Sequence, residues 1–302
     1  MTRALLITNP AAARTDARAV TSIRDTLRRG GWSVEVLATA RPGDARRFAA
    51  EGRDQGFDVF VCYGGDGTAM QVAAGAVGSG IPLGLVPGGT GNLLAGNLRL
   101  PRSPSAAARA ILTGKPRPID LGAVERSDTT HYFAVCCGTG FDAELMAATG
   151  SAEKRRWKFA AYVGRALAAL PGVRSPRHRV TVDGVAHEVA AAMVLVANCG
   201  ELLPPLVRLS RDVAPDDGWL DVLAVRAAGA LQSLGAFFEL VRGAYPPSNG
   251  SRLWLGRGRA VRVELLEGPA RPMQLDGEPS GATPFEARVL PRALPVLVAR
   301  RG

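Results

Sequence analysis

The chain has 302 residues, 47% of them hydrophobic and 21% charged, a balance that suits two globular domains, each with its own core. No apolar stretch reaches the roughly 18 residues of a spanning helix, and Met1 to Pro10 is predicted to be a first strand and turn, not a signal segment. The formal net charge of +10 is almost all arginine and is spread along the chain without a nucleic-acid-reading motif. No nucleic-acid partner is expected, whereas an anionic lipid surface would attract such a chain.

In chain order, Arg3 to Thr8 is predicted as a strand that ends at Asn9-Pro10. A helix from Asp16 to Arg29 follows, with Val20, Ile23 and Leu27 at helical spacing, and Gly30-Gly31 stops it. Ser33 to Ala38 is a second strand, and Gly43-Asp44 opens a helix to Gln55. Two strands, Val59 to Tyr63 and Ile81 to Val86, each run into a glycine-rich loop and then a helical pattern. Ser103 to Thr113 is one more helix before a break at Lys115-Pro116-Arg117-Pro118. Alternating strands and helices predict an α/β domain built on a parallel sheet covered on both faces.

After Leu121 the pattern changes. Strands at Tyr132 to Cys137, Arg179 to Val182, Glu188 to Asn198, Leu220 to Ala224 and Ala260 to Leu265 predict an antiparallel, sandwich-like second domain. Helices are expected at Ala152 to Leu170 and Ala230 to Gly243. The first of these is basic: an amphipathic connector with a solvated face, or a membrane-contacting segment. The expected domains are residues 1–121, with the strand-like tail 286–302 returning to them, and residues 122–285. Cys62, Cys136, Cys137 and Cys199 lie in apolar runs without paired spacing and read as buried thiols of a reducing compartment.

The chemistry starts with Gly64-Gly65-Asp66-Gly67-Thr68. Glycines allow close approach of backbone to a phosphate, and the helix that follows offers N–H groups and a favourable dipole. A carboxylate at Asp66 would repel that phosphate unless a Mg²⁺ bridged them. Alone, such a turn reads equally well as a ligand-free connection. The second loop, Pro87-Gly88-Gly89-Thr90-Gly91-Asn92, would lie on the same sheet edge and makes a nucleotide site the leading reading. Near the other end, Asp276-Gly277-Glu278 offers two carboxylates that would share one face of a strand. The same residues also suit an Asp-Gly turn with a solvated glutamate. Asp217 sits in a polar turn before a strand, and Asp142 suits a helix start.

These motifs, in this order, resemble the diacylglycerol kinase catalytic family of lipid kinases, which includes sphingosine and ceramide kinases and is distantly related to NAD kinases. The resemblance also takes in Asn9-Pro10, Thr39, Gly138 with Gly140 to Ala143, Asp217 to Val222, and Leu275 to Pro279. It implies an NAD kinase-like first domain, ATP and Mg²⁺, and a diacylglycerol-like or sphingoid-like lipid as phosphate acceptor. It further implies a cytoplasmic protein held peripherally at the inner membrane face. Asn9, Thr39, Gly64, Gly65, Asp66, Gly67, Thr68, Gly89, Thr90 and Asn92 would hold the nucleotide, with Asp66 on the reactive Mg²⁺. Glu278, partnered by Asp276, would accept the hydroxyl proton. A structural Mg²⁺ would sit on Asp217 and the carbonyls of Ala214 and Trp219. Leu93 and Gln71 depart from the family pattern, which commonly has acidic residues there, and so leave open a non-catalytic nucleotide- or lipid-binding member. An NAD kinase is the other alternative. Oligomeric state leaves no signature, a homodimer included.

Overall fold

The computed structural model describes residues 1–126, 129–140, 172–203, 207–209, 213–242 and 251–299. The basic segment Ala152 to Leu170 and Asp142 lie outside the described residues. The chain divides into two compact units: Met1–Leu121 with Pro291–Gly302, and Gly122–Leu290.

The first unit alternates β1 (Arg3–Thr8), α1 (Ala17–Arg29), β2 (Ser33–Ala38), α2 (Asp44–Gly52), β3 (Val59–Gly64), α3 (Asp66–Ala76), β4 (Leu83–Pro87), α4 (Leu93–Asn97) and α5 (Pro104–Thr113). The strands form a parallel sheet in the order β2-β1-β3-β4. Alternate side chains point to opposite faces. Ala4, Leu6, Val59, Val61 and Tyr63 therefore pack with Ile23 and Leu27 of α1 and with Ala107, Ala108 and Ile111 of α5. Leu5 and Phe60 face the other way, where Gly52 at the end of α2 lies close enough that a Cβ would crowd both. Each fully buried leucine here contributes about 1.5–3 kcal/mol by leaving water. Asp16 starts α1 by accepting the Ala19 N–H at 2.7 Å, and Ser103 does the same for α5 through Ala106. Helix α2 ends at Gly52, short of Gln55, and a turn with Gly56 at φ +72° follows it.

The expected break at Lys115-Pro116-Arg117-Pro118 is instead the start of a strand, β5 (Lys115–Arg126). The fixed φ of proline is compatible with extended chain, and its missing N–H is tolerated at an exposed strand start. The boundary between the units falls inside β5, and the chain returns inside the last strand, β18 (Phe285–Val298). There Val296 pairs in parallel with Leu83 of β4.

The second unit is a β-sandwich. One sheet contains β8 (Arg177–Val182), β9 (Val185–Ala190), β15 (Ala260–Leu265) and the first part of β18. Residues Gly122–Arg126 of β5 pair with β6 (Thr129–Phe133). The other sheet has the order β14 (Leu253–Gly258), β13 (Leu220–Val225), β10 (Met193–Ala197), β7 (Cys136–Gly140), β16 (Pro272–Leu275), β17 (Glu278–Ala282), antiparallel throughout. A short hairpin, β11 (Glu201–Leu203) with β12 (Val207–Arg208), and a helix, α6 (Gly229–Arg242), complete the described elements. Val180, Val261, Val263 and Ala287 meet Val194, Val196, Val222 and Met273 in the core.

Two expected strands are each two strands. Tyr132 to Cys137 breaks at Ala134-Val135 between β6 and β7, and Glu188 to Asn198 breaks at Ala191-Ala192 between β9 and β10. In both places the chain passes from one sheet to the other while remaining buried, so the apolar run continues through the bend.

Candidate active site

Parallel pairing puts the ends of β1 to β4 on one edge of the first unit's sheet, so Asn9, Thr39 and both glycine loops gather there. The loops touch backbone to backbone. The Gly88 N–H donates to the Gly64 carbonyl at 2.7 Å. A Cβ at Gly88 would lie 2.7 Å from Thr15 Cγ2 and 3.2 Å from Gly64 Cα, and one at Gly89 would lie 2.7 Å from Gly65 Cα. No side chain fits at these contacts.

Asn9 is bound at both ends of its amide. Its Nδ2 donates to Thr68 Oγ1 at 2.9 Å and its Oδ1 accepts the Ala11 N–H at 3.0 Å, joining the β1 turn to α3. Asn92 folds back on its own loop: Oδ1 accepts from Gly89 N–H and Nδ2 donates to the Gly89 carbonyl, both at 2.9 Å, with φ +51°. These two asparagines shape the loops. The groups left toward solvent are Thr90, which is exposed, half-buried Thr39 and Gly67, and the start of α3, which no side chain caps. An uncapped helix start with its dipole suits an anion.

Asp66 has partners that the sequence did not suggest. Its half-buried carboxylate lies beside the backbone amides of Leu93, Leu94 and Asn92 at the start of α4. Burial pushes its pKa up, and those amides pull it partly back. A Cβ at Gly91 would come 2.9 Å from Asp66 Oδ2, so a larger residue there would have to displace that carboxylate. The carboxylate thus lies against the second loop. Beside it, burial, with the Asp66 charge second, raises the Cys62 thiol to about 12. The four cysteines are all buried free thiols.

In the second unit Asp276 and Glu278 do not occupy alternate positions of one strand. Leu275 pairs with Glu278, and Asp276-Gly277 forms the two-residue turn between β16 and β17, with φ +46° and +83°. Glu278 opens β17 exposed to solvent. The Asp276 carboxylate turns inward: Oδ2 accepts the Ala134 N–H at 2.8 Å, and Oδ1 accepts those of Val135 at 2.8 Å and Cys136 at 2.9 Å. The buried Gln274 accepts the Gly277 N–H at 2.7 Å. From the other side the Ala134 carbonyl accepts Asn198 Nδ2 at 2.9 Å and Cys199 Sγ at 3.1 Å. Sequence reasoning passed over Gln274 and Asn198. A glutamine inside the apolar run Met273-Gln274-Leu275 is the signal that could have found the first.

At Asp217 the carboxylate accepts N–H groups, from Trp219 at 3.0 Å and Ala214 at 3.3 Å, and Arg257 Nη2 lies 3.6 Å away. Arg257 also makes two 2.9 Å bonds to Asp221. Burial raises the Asp217 pKa, opposed by those amides and by Arg257. A guanidinium thus already supplies the positive charge expected of a metal, and Ala214 and Trp219 meet the carboxylate through their amides. Two amides and a guanidinium partner the carboxylate as it stands, and among the described residues no group of three or more His, Cys, Asp or Glu side chains that could hold a metal is found.

An α/β unit with two glycine loops on one sheet edge, followed by a β-sandwich unit, defines a class, and comparison with known proteins specifies it. The diacylglycerol kinase catalytic domain matches residues 3–124, and the YegS C-terminal NAD kinase beta sandwich-like domain matches residues 135–298. A Pseudomonas aeruginosa (strain UCBPP-PA14) protein named "Probable lipid kinase YegS-like" is 32% identical over 89% of this chain and 86% of its own length. The Bacillus subtilis (strain 168) protein named "Diacylglycerol kinase" is 27% identical over 99% of this chain and 97% of its own. A crystal structure of a diacylglycerol kinase from Bacillus anthracis str. Sterne shares the fold, with a TM-score of 0.75 at 22% identity, covering 98% of this chain and 96% of that one. The chain belongs to the diacylglycerol kinase catalytic-domain family with the YegS-type C-terminal sandwich, a family of lipid kinases.

Proposed function

We propose that the protein is an ATP-dependent lipid kinase that moves the γ-phosphate of Mg·ATP to the hydroxyl of a diacylglycerol-like or sphingoid-like lipid. The observation that carries this reading is the pair of glycine loops packed against each other at the uncapped start of α3. Phosphoryl transfer needs positioning and charge neutralisation above all. The backbone of residues 64–68 and 89–92 and the hydroxyls of Thr39, Thr68 and Thr90 would hold the phosphates, with Mg²⁺ arriving as part of the nucleotide. As the acceptor oxygen bonds to the γ-phosphorus and ADP leaves with the electron pair of the broken bond, the hydroxyl proton passes to Glu278. Solvent exposure of Glu278 in the free protein leaves it accessible to an incoming lipid.

We place the protein at the cytoplasmic membrane surface. No helix among the described residues is long and apolar enough to cross a membrane, and the net charge of +10 favours anionic lipid. The test is radiolabelled ATP with a panel of diacylglycerols, sphingoid bases and NAD, the products being separated by chromatography. Label in a lipid supports the reading, and label in NAD replaces it with an NAD kinase. Tight ATP binding without transfer marks a non-catalytic member, an outcome that Leu93 and Gln71 make worth measuring.

A further inference from the structure

We infer that Asp276 is a positioning residue: its carboxylate locks the turn that carries Glu278, and Glu278 alone takes the acceptor proton. The inference rests on the kinase reading above. A general base must present a lone pair to the substrate proton. Both carboxylate oxygens of Asp276 face backbone amides, one at Ala134 and two at Val135 and Cys136, so a proton placed there would be set against N–H donors. Such charge-assisted bonds are stronger than neutral ones and directional. They also replace the strand pairing that this stretch gives up where the chain passes from β6 to β7.

The turn is held at its other atoms too. The Asp276 N–H donates to the Cys136 carbonyl at 2.8 Å, and Gln274 takes the Gly277 N–H. The segment they grip is held from behind by Asn198 and Cys199 at the Ala134 carbonyl. Asp276 lies in the left-handed region, where asparagine and aspartate are tolerated and glycine follows in the same conformation. Glu278 is the next residue after this fixed pair, so its backbone direction is set while its side chain stays in solvent.

The experiment compares wild type, Asp276→Asn and Glu278→Gln by hydrogen–deuterium exchange across Ala134–Cys136 and by the pH profile of kcat with dioctanoylglycerol in mixed micelles. Asp276→Asn is expected to speed exchange of those amides about tenfold and to lower kcat roughly 10- to 100-fold, as a displaced base does, while keeping the wild-type acid limb. Glu278→Gln is expected to keep the protection and lose turnover at every pH. Unchanged exchange in Asp276→Asn overturns the inference, as does an acid limb lost there but retained in Glu278→Gln. Should Asp276→Asn fail to fold, Gln274→Leu loosens the same turn and is expected to lower kcat with the limb in place; an unaltered kcat counts against the inference. A wild type that labels no lipid defeats the kinase reading instead, and the exchange arm still decides whether Asp276 holds the segment.

Discussion

Gly65 and Gly89 meet across the two glycine loops so closely that a Cβ on Gly89 would lie 2.7 Å from Gly65 Cα. The glycines therefore serve the packing of loop against loop. Gly89→Ala must push the loops apart, an overpacking cost of about 1–3 kcal/mol. ATP affinity, read by calorimetry, is expected to fall together with the melting temperature. Wild-type affinity in this variant would mean that the loops separate freely.

Asp66 makes a second prediction, because the amides of Leu93, Leu94 and Asn92 lie beside its carboxylate and favour its charged form. Asp66→Ala removes the negative charge that those amides face, which costs on the order of 0.3–1 kcal/mol. A lowered melting temperature without nucleotide or metal is therefore expected. If Asp66 acted only as a metal ligand, removing this half-buried carboxylate would leave the unliganded protein as stable as before or more so.

The sequence made the two glycine loops of the first unit readable because their signal is local. Gly64 to Thr68 and Gly88 to Asn92 each interrupt an apolar run, and parallel pairing alone then brings them to one edge. The work of Asp276 was not readable in the same way, since its partners lie about 140 positions earlier in the chain. The bends at Ala134-Val135 and Ala191-Ala192 were hidden for a related reason. Both stay buried, and a continuous apolar run carries no mark of a change of sheet. Arg257 was equally silent, because an arginine in a strand reads as a solvated side chain until Asp217 and Asp221 are seen beside it.

His178 predicts a pH dependence. The ring is fully buried, Nδ1 lies 2.9 Å from the Pro176 carbonyl, and Nε2 has no hydrogen-bond partner among the described residues. Burial is the main cause of its lowered pKa, and the nearby Arg271 adds to it. Below the ordinary value of 6.5 the unfolded chain takes up a proton that the folded chain resists. Stability is therefore expected to fall as pH drops from 6.5 toward the lower folded value. His178→Gln should flatten that slope in melts recorded across this range, and an unchanged slope would assign it to other groups.

Asp217 predicts an insensitivity. With Arg257 as its cation, the unliganded protein should melt at the same temperature in EDTA and in millimolar Mg²⁺. Arg257→Gln should cost under about 1 kcal/mol, as expected for a partly exposed pair. A rise of several degrees with Mg²⁺ alone would put a metal in the loop from Ala214 to Trp219 and displace the ion-pair account.

The most direct measurement is transfer of label from radioactive ATP to dioctanoylglycerol or sphingosine by wild type and by Glu278→Gln, with ATP binding checked in both. The account predicts a labelled lipid from wild type and a loss of about 10²-fold or more in Glu278→Gln at unchanged ATP affinity. A wild type that binds ATP yet labels no lipid, or a Glu278→Gln protein that turns over at the full rate, would contradict it.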